Sequence, residues 1–284
     1  GPRSFAALTA FLIALAGMAF LLYESMIDSY AYMSSGANYG PGPQAASSLG
    51  QGIFTSIAVL EMLFIAFIGP ALTMSAISGE VERQTYELLL ATPLSAWSIV
   101  RGKAGAALAY VALLILAAIP VMSLAFLFGG VTATSVVQVQ LSVLVGGLVF
   151  VAIGLFFSSV FKRTVRAAMA SYLAVGLLSI APIIVIYVVL ALTDWTGMTG
   201  SEMWMAMAFQ LSPFAPLMAI VMDTNFGVSG MDSGLFWAQA LVLQTLIAAV
   251  LFLIAVSRVR RVGREAAVAA VAIVVALLVW AAWV

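Results

Sequence analysis

Seven stretches of this chain, at roughly 4–24, 53–78, 104–128, 136–161, 167–192, 235–256 and 266–284, each run for about 20 residues or more with almost no charged side chain. A helix needs about 20 mainly apolar residues to cross the ~30 Å hydrocarbon core of a bilayer. The pattern therefore predicts an all-α integral membrane protein with six core transmembrane helices and a seventh at the C-terminal end. Composition agrees: 64% of the 284 residues are hydrophobic and 8% charged, whereas a soluble domain carries about 25% charged residues. A soluble globular domain, a disordered chain, and a signal peptide ahead of a soluble domain are all excluded. An eighth stretch, 203–222, contains Gln210, Pro213 and Pro216 and is bracketed by Glu202 and Asp223, which makes a full span there doubtful.

Basic residues in short loops stay on the cytoplasmic side. Arg3 precedes the first span; Arg83, Arg101 and Lys103 lie between the second and third; Lys162, Arg163 and Arg166 between the fourth and fifth; Arg258, Arg260, Arg261 and Arg264 after the sixth. The alternate connections carry Asp28, Asp194, Glu202, Asp223 and Asp232, with Glu24 close by, and no Lys or Arg. The formal charge of zero thus resolves into eleven basic and four acidic residues on the cytoplasmic side, six acidic residues outside, and Glu61 between. This sorting puts the N-terminus inside and makes 203–222 an outer re-entrant or interfacial helix between spans five and six. It also sends 266–284 outward, leaving the C-terminus outside. Residues 28–51, rich in Gly, Ser, Pro and Tyr, read as an irregular outer loop without a core, and 129–135 as a tight hairpin. The arginines at 258–264 read as a topology anchor, with anionic lipid as a weaker second reading.

The chain has no cysteine and no histidine, so thiolate and imidazole metal sites, Ser-His-Asp triads and disulfides are absent by composition. No catalytic residue and no metal ligand is expected, and the implied chemistry is transport. Seven of the fourteen methionines (Met198, Met203, Met205, Met207, Met218, Met222 and Met231) cluster in the outer stretch. Thioethers favour Cu(I), but positions 203, 205 and 207 do not share a helix face, and flexible apolar packing is the better account. Glu61 is the one ionisable residue deep in a span, about 14 Å from its outer end. Carboxylates there face a bundle interior or a cavity. Glu61 therefore either lines the translocation path or takes up a proton, or else is a protonated, hydrogen-bonded side chain at a helix contact.

The most informative segment closes the second span with Gly69-Pro70-Ala71-Leu72-Thr73 and continues from Ser78 to Lys103 as SGEVERQTYELLLATPLSAWSIVRGK. Ser78 reads as an N-cap, with Glu80 and Glu82 in the first turn, where carboxylates complement the helix dipole. Pro93 stops this short helix, and the chain re-enters the membrane through Arg101 and Lys103. A cytoplasmic helix held between two spans can pass a partner's movement to both.

In these residues the chain resembles the permease subunits of ABC exporters in the ABC-2 superfamily. The likeness lies in Pro70, the pair Glu82-Arg83, Thr85 followed by Glu87-Leu88-Leu89, Thr92-Pro93-Leu94-Ser95, and Gly102-Lys103. It continues in Leu127-Phe128-Gly129-Gly130-Val131, Gly154-Leu155-Phe156-Phe157-Ser158-Ser159, Lys162-Arg163 and Leu211-Ser212-Pro213-Phe214. It covers roughly residues 1–257, leaving 258–284 as a basic linker and the extra span. The resemblance implies that residues 79–95 form a coupling helix region docking on a cytoplasmic ABC ATPase, with contacts at Glu80, Glu82, Arg83, Thr85, Glu87, Leu88, Thr92 and Pro93. It also implies a second permease copy or a homologous permease, two ATPases per working unit, and a prokaryotic inner membrane. Such permeases usually have six spans, so the seventh is a departure. They also usually begin with an amphipathic helix, whereas this chain starts at Gly1-Pro2-Arg3, so either a segment precedes it or Gly-Pro is an expression scar.

A phosphate-cradling loop needs G-x-x-x-x-G-K-[ST]; here Ala104 follows Gly102-Lys103, and Trp97 stands at the first Gly position. The chain is thus expected to be no enzyme and to bind no cofactor itself, with ATP and Mg2+ in the partner subunit. Membrane lipid is a further partner, and nothing points to nucleic acid. The expected function is export by alternating access at a permease dimer interface. A proton-coupled carrier using Glu61 and a non-transporting membrane scaffold are the alternatives. The substrate is not written in apolar spans with so few polar groups.

Overall fold

A computed structural model describes residues 2–34, 43–87, 95–192, 209–221 and 233–260, and every regular element among them is helical. In chain order these are α1 (Pro2–Ser34), α2 (Pro43–Thr73), α3 (Ser78–Glu82), α4 (Ala96–Ser123), α5 (Ala133–Val160), α6 (Thr164–Leu192), α7 (Ala215–Val221) and α8 (Ser233–Arg260), with a 3-10 turn at Leu124–Leu127 after α4. Six of them, α1, α2, α4, α5, α6 and α8, are long and apolar enough to cross a membrane. The expected all-α architecture with six core spans is what forms. The seventh apolar run, 266–284, lies outside the described residues.

α5 is the axis of the bundle. Its Val136, Val139, Val143, Val149, Phe150, Val151, Ile153 and Leu155 are buried on every side, as befits a helix that is apolar all round. α2 and α8 make the most extensive contacts with it, and α4, α6 and α7 also pack on it. α6 instead turns Met169, Leu173, Leu177, Ile180 and Ile184 outward, a stripe at helical spacing suited to a hydrocarbon solvent. Pro70, Pro120 and Pro182 sit inside α2, α4 and α6, which membrane helices tolerate because neighbours re-satisfy the freed backbone groups.

Two local expectations change. Of the stretch 28–51, residues 28–34 and 43–51 are helical, α1 continuing to Ser34 and α2 starting at Pro43, where a first-turn proline costs no hydrogen bond; residues 35–42 lie outside the described residues. The second span ends at Thr73, where the Gly69-Pro70-Ala71-Leu72-Thr73 run was expected to close it. α4 begins at Ala96, so Arg101 and Lys103 lie in its first turns; Ser95 caps it by accepting the Ser98 amide at 3.1 Å. Within the described part of the 28–51 stretch Gly50 permits close packing, since a Cβ there would meet Gly129 O and Ala125 O. Gly130 has φ +78 and meets the Ser47 backbone, so a side chain there would collide with main chain. Gln51 Nε2 donates to Gly130 O at 3.2 Å across the same contact.

The 129–135 connection is tight, as expected, and Thr132 caps α5 by accepting the Ser135 amide at 3.1 Å. Thr132→Ala is expected to lower stability by about 1 kcal/mol, read as a fall in thermal unfolding temperature in detergent.

Residues 209–221, the described part of the 203–222 stretch, do not cross. α7 has 7 residues, about 10 Å of helix. Pro213 O comes against Gly146 halfway along α5, about 20 Å in from its first residue. Ile220 and Val221 climb back to share a cleft with Gly130 and Thr132. The chain therefore dips to the middle of the bundle and returns.

Candidate functional site

α2 ends in a turn, with Met74 N donating to Pro70 O and Ala76 N to Thr73 O. α3 follows, with Ile77 as its N-cap residue and no side-chain cap of its own. Ser78 is not the cap expected from its position. It is fully buried, and its Oγ donates back to Met74 O at 2.9 Å. The cap comes from α5: Ser158 Oγ accepts the amides of Ile77 at 2.8 Å and Ser78 at 3.0 Å. One hydroxyl thus satisfies two of the orphan donors of a helix start. Just above it, Thr73 Oγ1 donates to Val151 O at 3.0 Å.

The two acidic residues of α3 are held within the chain. Glu80 Oε1 lies 3.1 Å from Lys103 Nζ of α4, and Glu80 Oε2 accepts from Thr85 Oγ1 at 2.6 Å. The Thr85 hydroxyl, and then Lys103, hold the Glu80 carboxyl below its ordinary range. Lys103 Nζ also donates to Ala76 O, a carbonyl left open past the end of α2. Glu82 Oε2 accepts from Thr164 N at 3.2 Å and Thr164 Oγ1 at 2.6 Å. It therefore caps α6 from another element, and Thr164 keeps its carboxyl low. Tyr86 OH donates to Val259 O near the end of α8. The segment 77–87 is thus tied to α4, α5, α6 and α8 by four separate anchors.

Of the residues expected from the sequence to meet a partner, Glu80, Glu82 and Thr85 are engaged internally. Arg83, beside Gln84, and Glu87 are exposed. Gln84 has φ +60, the single positive value at a non-glycine among the described residues, and it turns the chain out of α3. Leu88, Thr92 and Pro93 lie outside the described residues. An open cleft of about 660 Å³ beside α3 is lined by Leu72, Ser75, Gly79, Arg83, Ala106 and Thr164, among others. Sequence reasoning missed Ser158, Thr164 and Tyr86 as parts of this site. The signal for Ser158 was its place in the Gly154 to Ser159 block.

Glu61 sits elsewhere, fully buried between α2, α4 and α5. Gln140 Nε2 donates to Glu61 Oε2 at 3.3 Å and reaches Met122 Sδ at 3.1 Å. Glu61 lines none of the clefts described here. A second polar cluster, not anticipated, joins the dipping segment to α6 and α8. Ser212 Oγ donates to Ser179 O at 3.2 Å, Gln244 Nε2 to Ser212 O at 2.9 Å, and Gln210 Nε2 to Gln239 Oε1 at 3.2 Å. Of the seven outer methionines only Met218 lies among the described residues, where it packs on the apolar core.

The family model described as ABC-2 family transporter protein matches residues 2–225, and no curated protein matches the chain.

Proposed function

Because the chain belongs to the ABC-2 transporter family, we propose that it is the permease of an ATP-driven exporter, working by alternating access against a second permease copy or a homologous permease. A separate cytoplasmic ABC ATPase supplies ATP, Mg2+ and the hydrolysis. The observation that carries this reading is the segment 77–87: tied to four helices, it offers Arg83 and Glu87 to the outside. A push on such a segment is delivered to α4, α5, α6 and α8 together. In this reading Glu80, Glu82 and Thr85 transmit movement, while Arg83 and Glu87, with Leu88, Thr92 and Pro93 beyond them, meet the ATPase. The end bearing Arg83, Arg101, Lys103, Lys162, Arg163 and Arg166 faces the cytoplasm of a prokaryotic cell, with the N-terminus on the same side.

The chain has no cysteine, so one introduced at position 83 gives a unique crosslinking site. From membranes of the native host it is expected to capture a nucleotide-binding subunit with a Walker motif. Arg83→Glu is expected to weaken that complex about tenfold, the 1.4 kcal/mol scale of one lost interface charge contact. Unchanged assembly in Arg83→Glu, together with flux driven by a pH gradient alone, would support a secondary carrier instead.

A further inference from the structure

The centre of the bundle holds two buried side chains that each lack one partner. Glu61 Oε1 and Gln140 Oε1 are both buried with no hydrogen bond, although the two groups already share the Gln140 Nε2 to Glu61 Oε2 contact. The two N–H groups of the amide go to Glu61 Oε2 and Met122 Sδ. Its oxygen is therefore an acceptor in search of a donor. An ionised carboxylate is acceptor-only, whereas a protonated one carries one O–H donor. Among the described residues no charged side chain is bonded to the pair: Gln140 of α5 meets Glu61 and, from α4, Met122, and the described Lys and Arg lie toward the ends of the helices. A lone carboxylate in this apolar interior, with one long hydrogen bond, bears a large desolvation cost.

We propose that Glu61 binds and retains one proton, forming a neutral acid–amide pair with Gln140 that latches α2 to α5. The O–H on Glu61 Oε1 donates to Gln140 Oε1 while Gln140 Nε2 donates to Glu61 Oε2, closing a two-bond ring. A single proton satisfies both orphaned oxygens at once. The latch stands independently of the ATPase-coupled reading, and it removes Glu61 from any solvent-connected route through the bundle.

Infrared spectroscopy of the purified full chain in lipid nanodiscs tests this directly. At about pH 7 carboxyls with ordinary pKa values near 4 are ionised, so a protonated-acid C=O stretch reports only an exceptional carboxyl. The wild-type protein is expected to show one such band, slow to shift on transfer to D2O. The band is expected to vanish in Glu61→Gln, whose amide can still pair with Gln140 and keep the fold, and to move in frequency in Gln140→Leu. Absence of the band from wild type, its persistence in Glu61→Gln, or immediate exchange in D2O would each overturn the latch. A band unmoved in Gln140→Leu would overturn the pairing; should that variant fail to fold, Gln140→Asn, which keeps the amide but draws it back by one methylene, gives the same reading.

Discussion

Ser158→Ala is expected to destabilise the protein by about 2–6 kcal/mol, since it strands two backbone donors at roughly 1–3 kcal/mol each. Ser158 is 1% exposed, and its Oγ is the acceptor for both Ile77 N and Ser78 N. Ser78 does not share this work: its hydroxyl is turned back onto Met74 O, and neither amide donates to it. The loss falls on the joint between α2 and α3. Hydrogen exchange at the amides of residues 77 and 78 is therefore expected to accelerate ahead of the rest of the bundle. Ser158→Thr keeps the oxygen and is expected to retain most of the protection. Exchange and melting unchanged in Ser158→Ala would mean that water caps this helix as well as the serine does.

One turn back along the same face of α5, Gly154→Leu is expected to cost about 3 kcal/mol or more through overpacking. A Cβ at Gly154 meets Thr73 Oγ1 and comes within 3.0 Å of Pro70 O and 3.1 Å of Pro70 Cα. Two of those three neighbours are main chain of α2, which cannot rotate aside. The larger residue must push α2 off α5 and break the Thr73 to Val151 bond. Thermal unfolding in detergent measures the loss. The cysteine-free background allows a single introduced pair across α2 and α5 to report the separation by crosslinking yield. Wild-type melting with intact crosslinking would show that this contact yields more easily than its geometry implies.

What the sequence made legible was whatever depends on length and on charge. Six spans were readable because each is a run that only a membrane or a deep core can accommodate. The dipping segment was readable as a non-span because Pro213 and Pro216 interrupt it. Glu61 stood out as a charge in the wrong solvent. Its partner did not, because Gln140 is an uncharged residue inside an apolar helix and only the packing of α2 on α5 brings the two together. The same blindness to distant partners explains Ser78. By position it fits a cap, and nothing local reveals a hydroxyl arriving from 80 residues further on. Glu80 and Glu82 were legible as acidic residues at a helix start, yet their use was not. One answers Lys103 and the other caps α6, and both are tertiary facts. The 28–51 stretch misled because small and turn-forming residues serve equally for a bend and for two backbones in contact, as at Gly130 and Ser47.

α2 is one helix of 31 residues, about 46 Å long, and it is bonded to α5 at the levels of Glu61 and Thr73, with the turn after it held at Ile77. A rod fastened in this way has a mechanical ratio. Rocking the fastened pair by ten degrees about the level of Glu61 would swing Thr73 by roughly 3 Å and Pro43 by roughly 5 Å in the opposite sense, at 1.5 Å per residue. Under the proposed mechanism, and with that pivot, a stroke beside α3 would reach the far end of α2, where Ser47 meets Gly130, inverted in direction.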